Sequence, residues 1–205
     1  MSRPARRVVH LPRPPVAPLA SVWVRDFDEA AAERFARDVA AVRLERQPVL
    51  PVVITSGGGD VYTLMAMLDV LATFDGTVVT LALGQAMSCG AVLFTCGAEG
   101  HRYIAPNATL LLHDVSSAPV GGKADDQRVS ATETARLNLL LWQRMARNIG
   151  KARDDLLAAH KARGAADWFV TAPEAVRLGL ASQVGLPVFE WRQRLDPLLG
   201  IEAGE

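Results

Sequence analysis

Apolar and polar positions along the chain change period repeatedly, which predicts strands and helices in turn. Short runs rich in Val, Leu and Ile predict strands at residues 19–24, 49–55, 77–83, 102–104, 109–113, 167–170 and 181–184. Apolar residues spaced three or four apart predict helices at residues 26–45, 61–74, 125–149 and 154–161. A shorter helix begins at a predicted capping box, residues 171–174, and ends at Gly179.

This order of elements predicts an α/β fold with a mainly parallel sheet. Residues 49–55 form a continuous apolar run, which is typical of a parallel strand buried on both faces. Residues 102–104 and 109–113 are interpreted as a short hairpin or strand pair. The chain shows no internal repeat and no linker.

The helix predicted over residues 125–149 has an unusually wide apolar face. Leu137, Leu140, Leu141, Met145 and Ile149 share one stripe, and Leu139 and Trp142 widen it. One monomer core normally uses a narrower stripe, so the width predicts burial against another subunit.

Composition narrows the class of protein. Half of the 205 residues are apolar, and 22 basic residues balance 22 acidic ones, so neither nucleic acid nor an anionic membrane is an expected partner. No apolar run approaches bilayer length. Residues 1–18 are rich in Arg and Pro and lack an apolar core, which predicts a flexible N-terminal segment rather than a secretory signal. Cys89 and Cys96 are interpreted as buried thiols in a reducing compartment, and we predict no metal site and no cofactor.

Ser88 is the first candidate for chemistry. It follows an apolar strand and precedes the helix-compatible run 91–94, with small residues on both sides. A serine at such a turn exposes its hydroxyl as a nucleophile, and the following helix offers unpaired N–H groups for an oxyanion. The alternative is a simple helix N-cap.

The glycine loop at residues 56–60 lies between a buried strand and a helix. It lacks the glycine spacing of a dinucleotide site and the lysine of a Walker motif. The glycines therefore indicate that the backbone of this loop packs very close to another group of atoms. His113, at the end of an apolar strand, is by itself more typical of a structural histidine.

Four separated strings of this chain together resemble the proteolytic subunits of Clp proteases, the ClpP family. They are Ser56-Gly57-Gly58-Gly59, the run from Gly84 to Ala91, Leu111-Leu112-His113 and the run from Asp167 to Ala175. The resemblance extends over residues 19–186. It implies a ClpP/crotonase-type spiral of β-β-α units with a long protruding helix, formed by a single domain over residues 19–205.

The resemblance also implies a set of site residues. Ser88 is the expected nucleophile, His113 the general base and acid, and Asp167 the carboxylate that orients His113. The backbone N–H groups of Gly59 and Cys89 are the expected oxyanion hole.

The implied function is a cytoplasmic serine endopeptidase that cuts unfolded proteins. The family works as a ring homo-oligomer, a heptamer or double heptamer, that encloses a chamber and receives its substrates from an AAA+ unfoldase. Three alternatives remain open. They are a stand-alone or phage capsid-maturation peptidase of the same type, a non-catalytic ring subunit, and a crotonase-type enzyme acting on acyl-CoA.

The chain departs from the family pattern at several positions. Gly57 replaces a proline, and Asp114-Val115 replaces Gln-Pro after the base. Extra residues precede Gly121-Gly122, and Ala166 stands where an arginine often joins two rings. The double ring is therefore less secure than the triad. If Asp167 lay far from the imidazole, Asp114 would be the first alternative carboxylate.

Overall fold

The computed structural model describes residues 19–116, 123–164 and 167–187, and within them the strands form one sheet. The strands are β1 Val22–Val24, β2 Val49–Ser56, β3 Thr77–Met87, β4 Arg102–Ile104, β5 Thr109–Leu112, β6 Trp168–Thr171 and β7 Gln183–Val184. Five of them follow the order β1-β2-β3-β4-β7 with every neighbour parallel. β5 lies parallel to β3, and β6 lies antiparallel to β5. The predicted α/β fold with a mainly parallel sheet is confirmed.

Helices alternate with these strands as predicted. Within the described ranges they are α1 Glu29–Leu44, α2 Val61–Leu71, α3 Cys89–Phe94, α4 Ala124–Asn148, α5 Arg153–Lys161 and α6 Ala172–Arg177. The predicted stripe of α1, Phe35, Val39 and Val42, is buried in the main core, and so are the predicted apolar residues of α2. Amphipathic patterning therefore located both helices and their buried faces.

β3 is longer than its apolar run predicts, because two different partners pair with it. Residues 80–82 pair with β4, and residues 85–87 pair with β5. Gly84, in a left-handed conformation with φ +67°, lies between the two segments. The predicted hairpin of residues 102–104 and 109–113 is therefore wrong. Both strands form, but each bonds to β3 rather than to the other, because parallel pairing to a long central strand satisfies both backbones.

Trp142 does not contribute to an outer apolar face, so that part of the prediction for α4 is wrong. Its side chain is 2% exposed and packs in the main core, while Leu139 is 48% exposed. The indole ring packs 4.9 Å from the ring of His160 on α5. Part of the wide apolar face of α4, which suggested burial against another subunit, is thus buried against a neighbouring helix of the same chain.

The predicted capping box at the start of α6 does not form. Thr171 stands at the N-cap, but its side chain accepts no capping hydrogen bond. The carboxylate of Glu174 instead accepts from Arg163 at 2.7 Å, because the turn after α5 brings that guanidinium within reach. Gly179 follows the last helical turn with φ +75°, as predicted for a C-terminal glycine.

Arg102 ties together the ends of several elements. Its guanidinium is buried and donates to the carbonyl oxygens of Gly97, Asn148 and Leu180 at 3.0–3.2 Å. Asn148 is the last residue of α4, so this cation meets the negative end of that helix dipole. The contacts fix α4 against the sheet that carries the candidate site.

Several expectations fall outside the described residues. They are the N-terminal segment 1–18, the Gly121-Gly122 segment, Ala166 and the tail beyond residue 187. Within the described residues, Ala20 to Pro187 form one compact unit.

Candidate active site

Ser88 lies at a sharp turn between β3 and α3 in a conformation rare for a residue with a side chain. Its φ and ψ are 53° and −119°. Its N–H donates to the Leu111 carbonyl on β5 at 2.9 Å, and its carbonyl accepts from Ala91 at 2.9 Å. The side chain makes no capping hydrogen bond, so the N-cap alternative is wrong. A strained turn whose serine hydroxyl does not cap the helix is the geometry of a nucleophile elbow.

The glycine loop after β2 packs directly against this turn. A Cβ added to Gly58, where φ is +100°, would lie 2.8 Å from the Cβ of Ser88. A Cβ on Gly59, where φ is +150°, would lie 2.7 Å from the carbonyl oxygen of Phe27. The close approach predicted for this loop is therefore an approach to the serine, and only glycine fits both positions.

Cys89 connects the serine turn to the glycine loop through its side chain. The residue is 1% exposed, and its Sγ lies 3.3 Å from the carbonyl oxygen of Gly59. Burial raises the pKa of the Cys89 thiol to about 11, so the thiol is protonated and donates this hydrogen bond at neutral pH. Neither the Gly59 nor the Cys89 backbone N–H has a hydrogen-bond acceptor among the described residues.

Sheet register brings His113 and Asp167 together. Leu112, the last residue of β5, pairs with Trp168, the first residue of the antiparallel β6. His113 and Asp167 continue that register by one position. His113 Nδ1 lies 3.8 Å from Asp167 Oδ1, with side-chain exposures of 23% and 60%. This separation is longer than a hydrogen bond, so the two side chains are close without being directly bonded.

Asp114, the alternative orienting carboxylate, is engaged elsewhere. Its Oδ1 accepts a hydrogen bond from the indole Nε1 of Trp142 at 2.8 Å. The adjacent N–H of Val115 donates to the side chain of Asn138 at 2.5 Å. Sequence patterns did not reveal Asn138, and they assigned Trp142 to an outer face of α4 rather than to the candidate site, because both residues lie far along the chain from His113. A contact between an exposed Asp and a buried Trp that lie far apart along the chain leaves no recognisable pattern in the sequence around either residue.

Ser88, His113 and Gly59 line one cleft. Its other walls are mostly apolar, including Val61, Val92, Leu141, Trp142 and Met145. Cys89, next to Ser88, does not line the cleft, and Asp167 lies beside His113 without lining it either. The ends of β2, β3 and β5 thus bring the predicted site residues to one edge of the sheet. A cleft that contains a serine and a histidine suits acyl transfer through a serine nucleophile.

Two further observations concern other classes of site. No group of three or more His, Cys, Asp or Glu side chains in the described ranges is arranged to hold a metal ion. None of the helices in the described part of the chain is long and apolar enough to cross a bilayer.

Comparison with known proteins places these residues in context. The Clp protease family model matches residues 24–187. ATP-dependent Clp protease proteolytic subunit 1 of Corynebacterium diphtheriae is 31% identical over 166 residues, covering 81% of this chain and 76% of that protein. Subunit 2 of Corynebacterium jeikeium shows the same identity and coverage. Subunit 1 of Corynebacterium glutamicum is 32% identical over 140 residues, covering 68% of this chain and 64% of that protein.

Proposed function

This chain belongs to the Clp protease family and is a serine-type endopeptidase, and we propose that Ser88, His113 and Asp167 form its catalytic triad. The observation that carries the proposal is the strained turn that places the Ser88 side chain, which makes no capping hydrogen bond, in the same cleft as His113. The imidazole takes the proton of Ser88 as Oγ attacks the scissile carbonyl, and then delivers it to the leaving amine. Asp167 Oδ1 lies 3.8 Å from Nδ1, and when this contact shortens on substrate binding it accepts from Nδ1–H and holds the imidazole in the tautomer that leaves Nε2 free to accept.

The oxyanion hole is assigned to the backbone N–H groups of Gly59 and Cys89. Both lack an acceptor among the described residues, and the Cys89 thiol joins the two residues at 3.3 Å. Cys89 is the first residue of α3, so its N–H also lies at the positive end of a helix. Preorganised donors of this kind stabilise the negative charge that develops on the carbonyl oxygen.

The substrates we propose are unfolded polypeptides, delivered by an AAA+ unfoldase into a ring-shaped chamber. The matched relatives are named as subunits of an ATP-dependent protease. The glycine loop of this chain has no Walker lysine, and its glycines pack against Ser88 and Phe27. ATP hydrolysis therefore falls to a partner protein rather than to this subunit.

Ring assembly, as a heptamer or double heptamer, is proposed from family membership and from the exposed apolar side chains. Val129 and Leu139 on α4 are 70% and 48% exposed, and Phe169 on β6 is 55% exposed. Leu139→Glu is the suitable probe, because Trp142 lies in the core of the monomer. Sedimentation should show a ring for the wild type and smaller species for Leu139→Glu. A wild-type monomer with full peptidase activity would refute the ring.

We also propose that residues 19–205 form a single peptidase domain, with 1–18 as an appended segment, and that the protein is cytoplasmic. Ala20 to Pro187 already form one compact unit. Cys89 and Cys96 are free thiols, which suits a reducing compartment.

The triad is tested by labelling the purified protein with a fluorophosphonate probe and mapping the modified residue by mass spectrometry. We expect modification at Ser88 in the wild type and none in Ser88→Ala. Degradation of an unfolded protein should additionally require the unfoldase and ATP, while a short peptide should be cut without them. A wild-type protein that is neither labelled nor active on peptides would refute the assignment.

A further inference from the structure

Two side chains of α4 hold the segment that follows the base. Asn138 and Trp142, one helical turn apart, both line the cleft. Trp142 Nε1 donates to Asp114 Oδ1 at 2.8 Å, and Asn138 Oδ1 accepts from the N–H of Val115 at 2.5 Å. The two residues that follow His113 are therefore each bonded to the same face of one helix.

The ring of Trp142 is itself held in place, so its N–H has a fixed direction. The side chain is 2% exposed, and its ring centroid lies 4.9 Å from that of His160. His160 in turn stacks at 6.4 Å on Trp168, the residue after Asp167. The same aromatic stack thus reaches both the segment beside His113 and the strand that begins beside Asp167.

We propose that Trp142 and Asn138 are positioning residues that set the direction of the His113 imidazole toward Ser88. The inference rests on the proposed triad. His113 lies just beyond the end of β5, where the strand ladder no longer restrains the backbone. The next restraints along the chain are the two bonds to α4. A misplacement of about 1 Å costs a catalytic group on the order of 100-fold in rate, so even partial loss of these restraints is measurable.

The test distinguishes the effect of the Trp142–Asp114 hydrogen bond from the effect of the Asp114 charge and from the effect of packing by the Trp142 ring. Trp142→Phe keeps an aromatic ring but removes the donor, and Asp114→Ala removes the acceptor. Asp114→Asn keeps an acceptor oxygen without the charge. We expect the first two variants to lower kcat and the rate of Ser88 modification about tenfold with little change in KM. Asp114→Asn should recover most of that loss, and Trp142→Phe combined with Asp114→Ala should lose little more than either alone.

Tyr62→Phe is the matched control. The Tyr62 hydroxyl also donates to a carboxylate on α4, that of Glu133 at 2.6 Å, but Tyr62 does not line the cleft. Its loss should leave kcat and Ser88 labelling unchanged. Thermal unfolding of each variant monitors the fold.

Two results would overturn the proposal. One is unchanged kcat and labelling in folded Trp142→Phe and Asp114→Ala. The other is an equal loss in Tyr62→Phe, which would make the effect a general one of α4. If Trp142→Phe does not fold, Asn138→Ala and the two Asp114 variants decide by the same criteria. Failure to label wild-type Ser88 would instead refute the triad, so the two failures are distinguishable.

Discussion

The two sides of the cleft are built in different ways. The nucleophile side depends on main chain: the Ser88 N–H bonds to β5, and the Gly58 backbone packs against the serine. The base side depends on side chains. The side chains of His113 and Asp167 are 23% and 60% exposed, and His113 Nδ1 lies 3.8 Å from Asp167 Oδ1.

This difference shows which part of the candidate site is already in its working geometry once the chain has folded. The main-chain geometry around Ser88 is set by the sheet register and by close packing at the glycines, where a side chain would not fit. The interaction of an exposed imidazole and carboxylate is weakened by water and strengthens when water is removed. We therefore expect the serine turn to be set before substrate binds, and the His113–Asp167 contact to tighten when the cleft is filled.

Removing the proposed nucleophile should have the largest effect. Ser88→Ala deletes only a hydroxyl that makes no capping hydrogen bond, so the free energy of unfolding should change by less than about 1 kcal/mol. Peptide hydrolysis should fall by at least about 1000-fold, leaving only residual catalysis. Steady-state hydrolysis and thermal unfolding check this pair of results. Activity comparable with the wild type would mean that Ser88 is not the nucleophile.

Disturbing the main chain on the nucleophile side should have the next largest effect. In Gly58→Ala the new Cβ lies 2.8 Å from that of Ser88, at φ +100°, so the serine or the loop must move. We expect about a 100-fold loss of kcat. Gly57→Ala is the control, because a Cβ at Gly57 meets nothing within 4 Å. Equal activity of the two variants, measured on one peptide, would contradict a close-packed nucleophile side.

Removing the charge on the base side should have a smaller effect. Asp167→Asn allows the wrong His113 tautomer, but the pair is open to water, so we expect a loss of about 10- to 100-fold at neutral pH rather than the larger loss of a buried triad. Peptide hydrolysis under saturating substrate measures it. A greater loss in Asp114→Asn than in Asp167→Asn would transfer the orienting role to Asp114.

The smallest predicted effect concerns the buried thiol on the nucleophile side. Burial raises the pKa of Cys89 to about 11, above the value near 9 of an unfolded chain. The unfolded state therefore loses its proton first, and stability contributed by the neutral thiol is present below pH 9 and is lost as the pH rises toward 11. Urea unfolding at pH 8 and pH 10 should show a decrease about 1 kcal/mol larger for the wild type than for Cys89→Ala. The same decrease in both proteins would refute a protonated, buried Cys89.

Local pattern was enough to predict most elements and the turn and glycine loop that form one half of the candidate site. The apolar stripes of α1 and α2, the buried β2 run and the turn at Ser88 are short-range features, and each formed where predicted. The glycine loop was likewise recognisable from composition, because close backbone approach leaves glycine as the residue that fits. These features depend on the periodicity and steric properties of neighbouring residues.

Only the tertiary structure decided which elements meet. β4 and β5 both bond to β3, so the predicted hairpin is absent, and Trp142 packs inward on His160 rather than outward. The register of β5 with β6 places His113 beside Asp167, and α4 provides Trp142 to hold Asp114. Hydrophobic periodicity indicates which face of each segment is buried, but not which other segment that face packs against. That choice depends on how all segments together satisfy backbone hydrogen bonds and fill the core.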